Sequence, residues 1–303
     1  MSALPPYPVL QVQPSDLISD EALGSKTKFW FRQSGPHWLF KEARDHTGEG
    51  WAEKIAAEIA ALMNISAATV ELAEYEGRHG CASLMFVDSA RGEVLYHGNE
   101  ILAEQVLGYD PAKKFRQSDH TLENIRIAIC KLFPKPEVHH SVLTALAGYL
   151  VLDAFVGNTD RHHENWGLLL SPKLEGNTFA GAELSDAPSF DHASSLGREL
   201  RDEKRLNIMR AKGVSVYVRK GKGAVFFARE YAHGENPLRL VEFGANRLGE
   251  YFLPGLERLR RFTIPHLDAV VDRVPDEHMS VAAKAFTKAF LAYTYESLCK
   301  LLK

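Results

Sequence analysis

The chain has 303 residues, 45% of them hydrophobic and 25% charged, which is enough apolar mass for one large core or two modest ones and excludes a disordered chain. Its 36 basic and 39 acidic residues give a formal net charge of −3, so no overall attraction to nucleic acid or anionic membrane is expected. Cys81, Cys130 and Cys299 are far apart and odd in number, which excludes a disulfide framework and a paired-cysteine zinc site and fits a reducing cytoplasm.

In chain order, the opening segment MSALPPYPVLQVQPSDL lacks a basic stretch, and its prolines break any apolar run, so no signal peptide is expected. In LGSKTKFWF, Gly24 and Ser25 precede a strand, where backbone amides and Lys26 or Lys28 can cover phosphates. TKFWFRQ and HWLFKEA read as two strands around the turn SGP, with Lys41 near the end of the second. GWAEKIAAEIAALMN reads as a helix whose Ile55, Ile59, Leu62 and Met63 share one face, while Glu53, Lys54 and Glu58 populate others. TVELAEYEG and CASLMFVD then form a second antiparallel pair.

From about Glu100 the pattern turns helical: TLENIRIAICKLF, SVLTALAGYLVLDAFVG, NPLRLVEFGANRLGEYFL and VAAKAFTKAFLAYTYESLCKLLK. The apolar stretch Val142 to Val156 is too short to span a membrane and carries Asp153, so it is expected to be a core helix. WGLLL and TFAGAEL are expected to form a hairpin, and VRKGKGAV a solvated basic loop without Walker A spacing. The expectation is an α+β chain of two lobes: a small mixed lobe over 1–99 and a larger, mainly helical one over 100–303.

GNTDRHHENWG, from Gly157 to Gly167, concentrates proton-carrying and coordinating groups between glycines. A metal cage, a phosphoryl-transfer loop and a hydrated turn are all open to it. Zinc on a helix wants His-x-x-x-His, whereas His162 and His163 are adjacent, as are His139 and His140. Phosphoryl transfer wants an aspartate for the acceptor hydroxyl, and an asparagine with a second aspartate for magnesium. Asp160 and Asn165 have the kinase spacing Asp-x-x-x-x-Asn, and LSDAPSFDHASSLG offers Asp191 after a hairpin-length gap. Oxygen donors of this kind suit magnesium better than zinc. Lys41 and Glu53 are placed to meet as the ion pair that anchors nucleotide phosphates.

GNTDRHHENWG with APSFDHASSLG, preceded by GSKTKFWF and FKEA, resembles the HipA-like serine/threonine kinases over most of the chain from about Gly24. The resemblance implies a two-lobed protein-kinase-like fold, ATP and Mg2+ as nucleotide and metal, and a short form without the family's N-terminal subdomain. It makes Asp160 the catalytic base, His162 a brace of the catalytic loop, Asn165 and Asp191 the magnesium ligands, and Lys41 the phosphate lysine with Glu53 as partner. It also implies a protein substrate, an antitoxin-like partner protein for some members, and autophosphorylation in the glycine loop, with Ser19 and Ser25 as candidates. Asp160-Arg161-His162-x-x-Asn165 is similar to the loop of phosphoinositide kinases as well, so a lipid acceptor is the alternative. An inactive binding module ranks lower because the lysine, the asparagine and both aspartates are present, and a metal-dependent hydrolase because the histidine spacing does not match zinc-ligand patterns.

Overall fold

The computed structural model describes residues 4–20, 27–33, 35–175 and 178–302. The elements run β1 (Val9–Val12), β2 (Leu17–Asp20), β3 (Lys28–Arg32), β4 (His37–Glu42), α1 (Glu49–Leu62), β5 (Val70–Tyr75), β6 (Arg78–Leu84), β7 (Val94–His97) and α2 (Gly98–Gln105). They continue with α3 (Leu122–Leu132), α4 (Pro136–Val156), β8 (Gly167–Glu175), β9 (Thr178–Asp186), α5 (Asp202–Arg210) and α6 (Val214–Lys220). The chain closes with α7 (Pro237–Arg247), α8 (Gly249–Glu257), α9 (Ile264–Asp272) and α10 (Val281–Cys299).

A six-stranded sheet in the order β1-β5-β6-β4-β3-β2 forms the smaller part, with β1 parallel to β5 and the other pairs antiparallel. Alternation along the strands sorts its faces. Phe29, Phe31 and Phe40 are buried together on one face, with the rings of Phe29 and Phe40 stacked at 4.9 Å. Lys41, one residue on, therefore points to the other face, as does Lys28, its cross-strand neighbour. Helix α1 packs on β5 and β6. Its burial extends beyond the isoleucine face that periodicity predicts: Glu53 and Lys54 are buried too, at 1% and 2% exposure. The Lys54 ammonium is satisfied there by Glu58, Glu71 and the Val70 carbonyl at 2.7–2.9 Å.

The helical part is built around α4, the one helix among the described residues long and apolar enough to cross a membrane, and one that is mostly buried inside the fold. It packs against α3, α7, α8 and α10. The segment expected as one helix from Asn236 to Leu253 is two, α7 and α8, broken at Leu248–Gly249. The expected hairpin is β8–β9, and β7 joins its edge to form a second sheet. The catalytic-loop candidate runs between α4 and β8, and the second aspartate follows β9.

Candidate active site

Lys41, Glu53 and Asp191 come from β4, α1 and the segment after β9, and they meet. The Lys41 ammonium lies 3.0 Å from Glu53 Oε1 and 3.2 Å from Asp191 Oδ1. Burial works against the charge on Lys41, but Asp191 and Glu53 outweigh it and hold the ammonium above its ordinary range. The Cys81 thiol donates to Glu53 Oε2 at 3.6 Å, and burial, with the Glu53 charge beside it, keeps that thiol protonated. Asp191 has φ 59°, a left-handed conformation that costs a non-glycine residue about 1 kcal/mol.

The loop hangs from the end of α4. Gly157 closes that helix at φ 67°, and a Cβ on it would stand 2.3 Å from the Phe290 ring. Asp153, in the last turn of α4, takes Arg161 Nε at 2.7 Å, Arg161 Nη2 at 2.8 Å and Asn158 Nδ2 at 2.8 Å. All three residues are buried. The same guanidinium donates to the carbonyl of Asn165 and, at 3.1 Å, to that of Phe190. One arginine thus ties the main chain of one proposed metal ligand to the main chain beside the other. Arg161 Nη2 also donates to Ser189 Oγ at 2.9 Å, and Ser189 Oγ is hydrogen-bonded to His192 Nε2 at 2.8 Å. Burial pushes His192 down to about 3, so its ring is neutral.

Asn165 Nδ2 donates to the Asp160 carbonyl at 2.7 Å, leaving Oδ1 as the atom this amide can offer a metal. The His162 amide also donates to that carbonyl, at 2.8 Å, and His162 Nδ1 accepts from the Glu164 amide at 3.2 Å. Burial, then the nearby Lys114 charge, push His162 down to about 4, so it stands as a neutral brace. Asp160 is half-buried, and burial, reinforced by the Asp191 charge, raises its carboxyl above the ordinary value. His162 and His163 turn apart, with ring planes at 83°, and His163 Nδ1 is taken by the Tyr109 hydroxyl at 2.7 Å. They do not converge on an ion.

Lys28, Lys41, Glu53, Asp160, His162, Asn165 and Asp191 all line one cleft of about 490 Å3. The expected phosphate-covering residues Gly24, Ser25 and Lys26 lie outside the described residues, as does Ser25 as a phosphorylation candidate; Ser19 is exposed on β2. Sequence reasoning missed four contributors to the site. Arg44 and Arg198 line the cleft, Arg198 being ion-paired to Glu49 at the start of α1; Lys114 lines it too and is bonded to Glu164 at 2.6 Å. Arg161 is the fourth, and Asp153 was its signal, because a carboxylate inside an apolar helix needs a buried partner. The oxygen donors of Asn165 and Asp191, with cations around them, suit a hard divalent ion carrying a polyphosphate.

Residues 21–228 match the family model for HipA-like C-terminal domains. No curated protein sequence matches at a significant level. Among solved structures, the chain is similar to the proinflammatory kinase CtkA of Helicobacter pylori, at 17% identity and TM-score 0.78, over 97% of this chain and 98% of that one. It is also similar to HipA of Shewanella oneidensis, solved with HipB and operator DNA, at 13% identity and TM-score 0.55. That match covers 96% of this chain and 65% of the HipA chain. These likenesses show a two-lobed kinase-like fold.

Proposed function

The chain belongs to the HipA-like family, and from that premise we propose that it is an ATP- and Mg2+-dependent kinase that phosphorylates serine or threonine on a protein. The observation that carries this reading is the convergence of Lys41 with Glu53 and Asp191 in the cleft that also holds Asp160 and Asn165. These five groups come from four separate segments of the chain, Asp160 and Asn165 sharing one loop, and each kind has a separate duty in phosphoryl transfer.

In this reading Lys41, held charged and oriented by Glu53, takes the nucleotide phosphates, helped by Lys28 and the cationic rim of Arg44, Lys114 and Arg198. Magnesium, on Asn165 Oδ1 and the Asp191 carboxylate, would offset phosphate charge. Asp160 receives the acceptor hydroxyl. Its proton affinity, raised by burial and by the Asp191 charge, makes its carboxylate a better hydrogen-bond acceptor for that hydroxyl. Arg161 holds both metal-side segments in register, and the neutral His162 keeps the loop closed.

A second cavity of about 460 Å3 shares Ser194 and Arg198 with the cleft and is lined by Thr159, Tyr217, Lys220 and Lys222. It suits an acceptor with negative charge near its hydroxyl. The motif Asp160-Arg161-His162-x-x-Asn165 keeps a phosphoinositide acceptor as the alternative. The unpaired cysteines fit the cytoplasm as the working compartment, with secretion into a host cell as the alternative, and an antitoxin-like partner is suggested by HipA having been solved with HipB.

The test is incubation with Mg2+ and γ-labelled ATP, alone, with cell lysate and with phosphoinositide vesicles. Label recovered as phosphoserine or phosphothreonine, and abolished by EDTA, is the expected result. Label in lipid alone would establish the alternative. Hydrolysis supported by zinc without ATP would overturn both.

A further inference from the structure

Away from the cleft, Glu74 on β5 faces His79 on β6 across the strand pair, and His278 approaches them from the turn between α9 and α10. Both imidazoles address the same oxygen: Glu74 Oε1 lies 3.1 Å from His79 Nε2 and 3.2 Å from His278 Nε2. The three potential ligand atoms all lie within 4.8 Å of one another. The two rings are stacked, with centroids 4.2 Å apart and planes at 23°. In a tetrahedral zinc site with bonds of about 2.0–2.1 Å, neighbouring ligand atoms stand roughly 3.3 Å apart, close to the spacing of the carboxylate oxygen and each imidazole nitrogen.

The surroundings fit an ion as well. The other carboxylate oxygen, Glu74 Oε2, accepts from Gln11 Nε2 at 3.1 Å, which orients the carboxylate as outer partners of metal ligands do. His278 is 4% exposed and His79 43%, so one wall is fixed and the other opens to solvent. Three ligands leave a fourth position for water.

We propose that Glu74, His79 and His278 form a zinc-binding site that fastens the six-stranded sheet to the α9–α10 turn of the helical part. None of the three lines the nucleotide cleft, so the site is separate from the magnesium site there. Its two imidazoles select a transition metal over magnesium. Because the ligands come from Glu74–His79 and from a turn some two hundred residues later in the chain, the ion would bind only the folded protein and stabilise it.

The test uses the full chain, stripped of metal with EDTA and then titrated with Zn2+ and with Co2+. Surface histidines add weak sites, so the reading is the difference between the parent and His79→Ala, His278→Gln and Glu74→Gln. The parent is expected to take one equivalent of Zn2+ more tightly than each variant, to give the visible absorption of tetrahedral Co2+, and to gain roughly 4 °C in Tm at a hundredfold excess over Kd. Excess Mg2+ should neither displace the bound Zn2+ nor remove the tetrahedral Co2+ absorption. His79→Ala, at a half-exposed position, should match the parent's Tm in EDTA, so it decides the matter if His278→Gln folds poorly. Equal zinc stoichiometry and affinity in the parent, His79→Ala and Glu74→Gln, or Co2+ bound without a tetrahedral band, would overturn the site.

Discussion

At the scale of single residues, Lys41 and Glu53 act as one unit. Lys41→Ala should raise the Kd for Mg-ATP about tenfold or more. Glu53→Ala should act mainly by freeing Lys41, so the double variant should lose little beyond the worse single one. Calorimetric binding of the three proteins checks this, and additive losses would separate the pair. His192 makes a pH prediction. Its folded value is about 3, against an ordinary value near 6.5, so the unfolded chain takes a proton below 6.5 that the folded chain refuses. This contribution is therefore intact above pH 6.5 and is lost as the pH falls toward 3, at up to about 1.4 kcal/mol per pH unit. Urea unfolding of the parent and of His192→Gln between pH 7 and 5 should show a flatter slope for the variant.

Asp160, Asn165, Asp191 and Lys41 could be picked out as candidates because of their order along the chain rather than any one spacing, and the structure brings all four to one cleft. Arg161 could not be picked out, since an arginine in a polar loop reads as solvated until the fold buries it against Asp153. Removing one member of that pair, as in Asp153→Ala, should destabilise by about 3–5 kcal/mol, because the guanidinium is left buried and uncompensated. Denaturant unfolding measures it, and a loss below about 1 kcal/mol would mean that the pair does not hold the loop.

At the scale of elements, the end of α4 decides where the loop begins. Gly157→Ala would place a Cβ into Phe290 and force alanine into a left-handed conformation, together costing about 2–4 kcal/mol. Because this shift starts immediately before Asn158 and Asp160, the transfer rate should fall more than Mg-ATP affinity does. Thermal melts and labelling rates on the same preparation test both halves. The strand pairs of the small sheet were readable because alternation and turn residues coincide there. The partition of β7 was not, since the choice of a pairing partner more than seventy residues away is made by packing and leaves no local pattern. The break at Leu248–Gly249 was hidden for the opposite reason: apolar residues continue at helical spacing through it, while the packing of α7 and α8 on α4 turns the chain. VRKGKGAV, expected as a plain solvated loop, contributes Lys220 and Lys222 to the cavity beside the cleft.

At the scale of the whole molecule, the near balance of charge is repeated at the cleft, where Lys28, Lys41, Arg44, Lys114 and Arg198 stand among Glu42, Glu49, Glu53, Asp160 and Asp191. In the proposed reaction this cleft divides its labour: Asp160 would serve the acceptor, while Asp191 would serve the metal and nucleotide. Calorimetric Mg-ATP affinity, measured beside the phosphoryl-transfer rate for the parent, Asp160→Asn and Asp191→Asn, tests it most directly. Asp160→Asn should keep affinity within a fewfold and lose about 10²-fold or more in rate, whereas Asp191→Asn should lose both. Transfer at the parental rate by Asp160→Asn, or unchanged affinity and rate in Asp191→Asn, would show that the two aspartates do not have these duties.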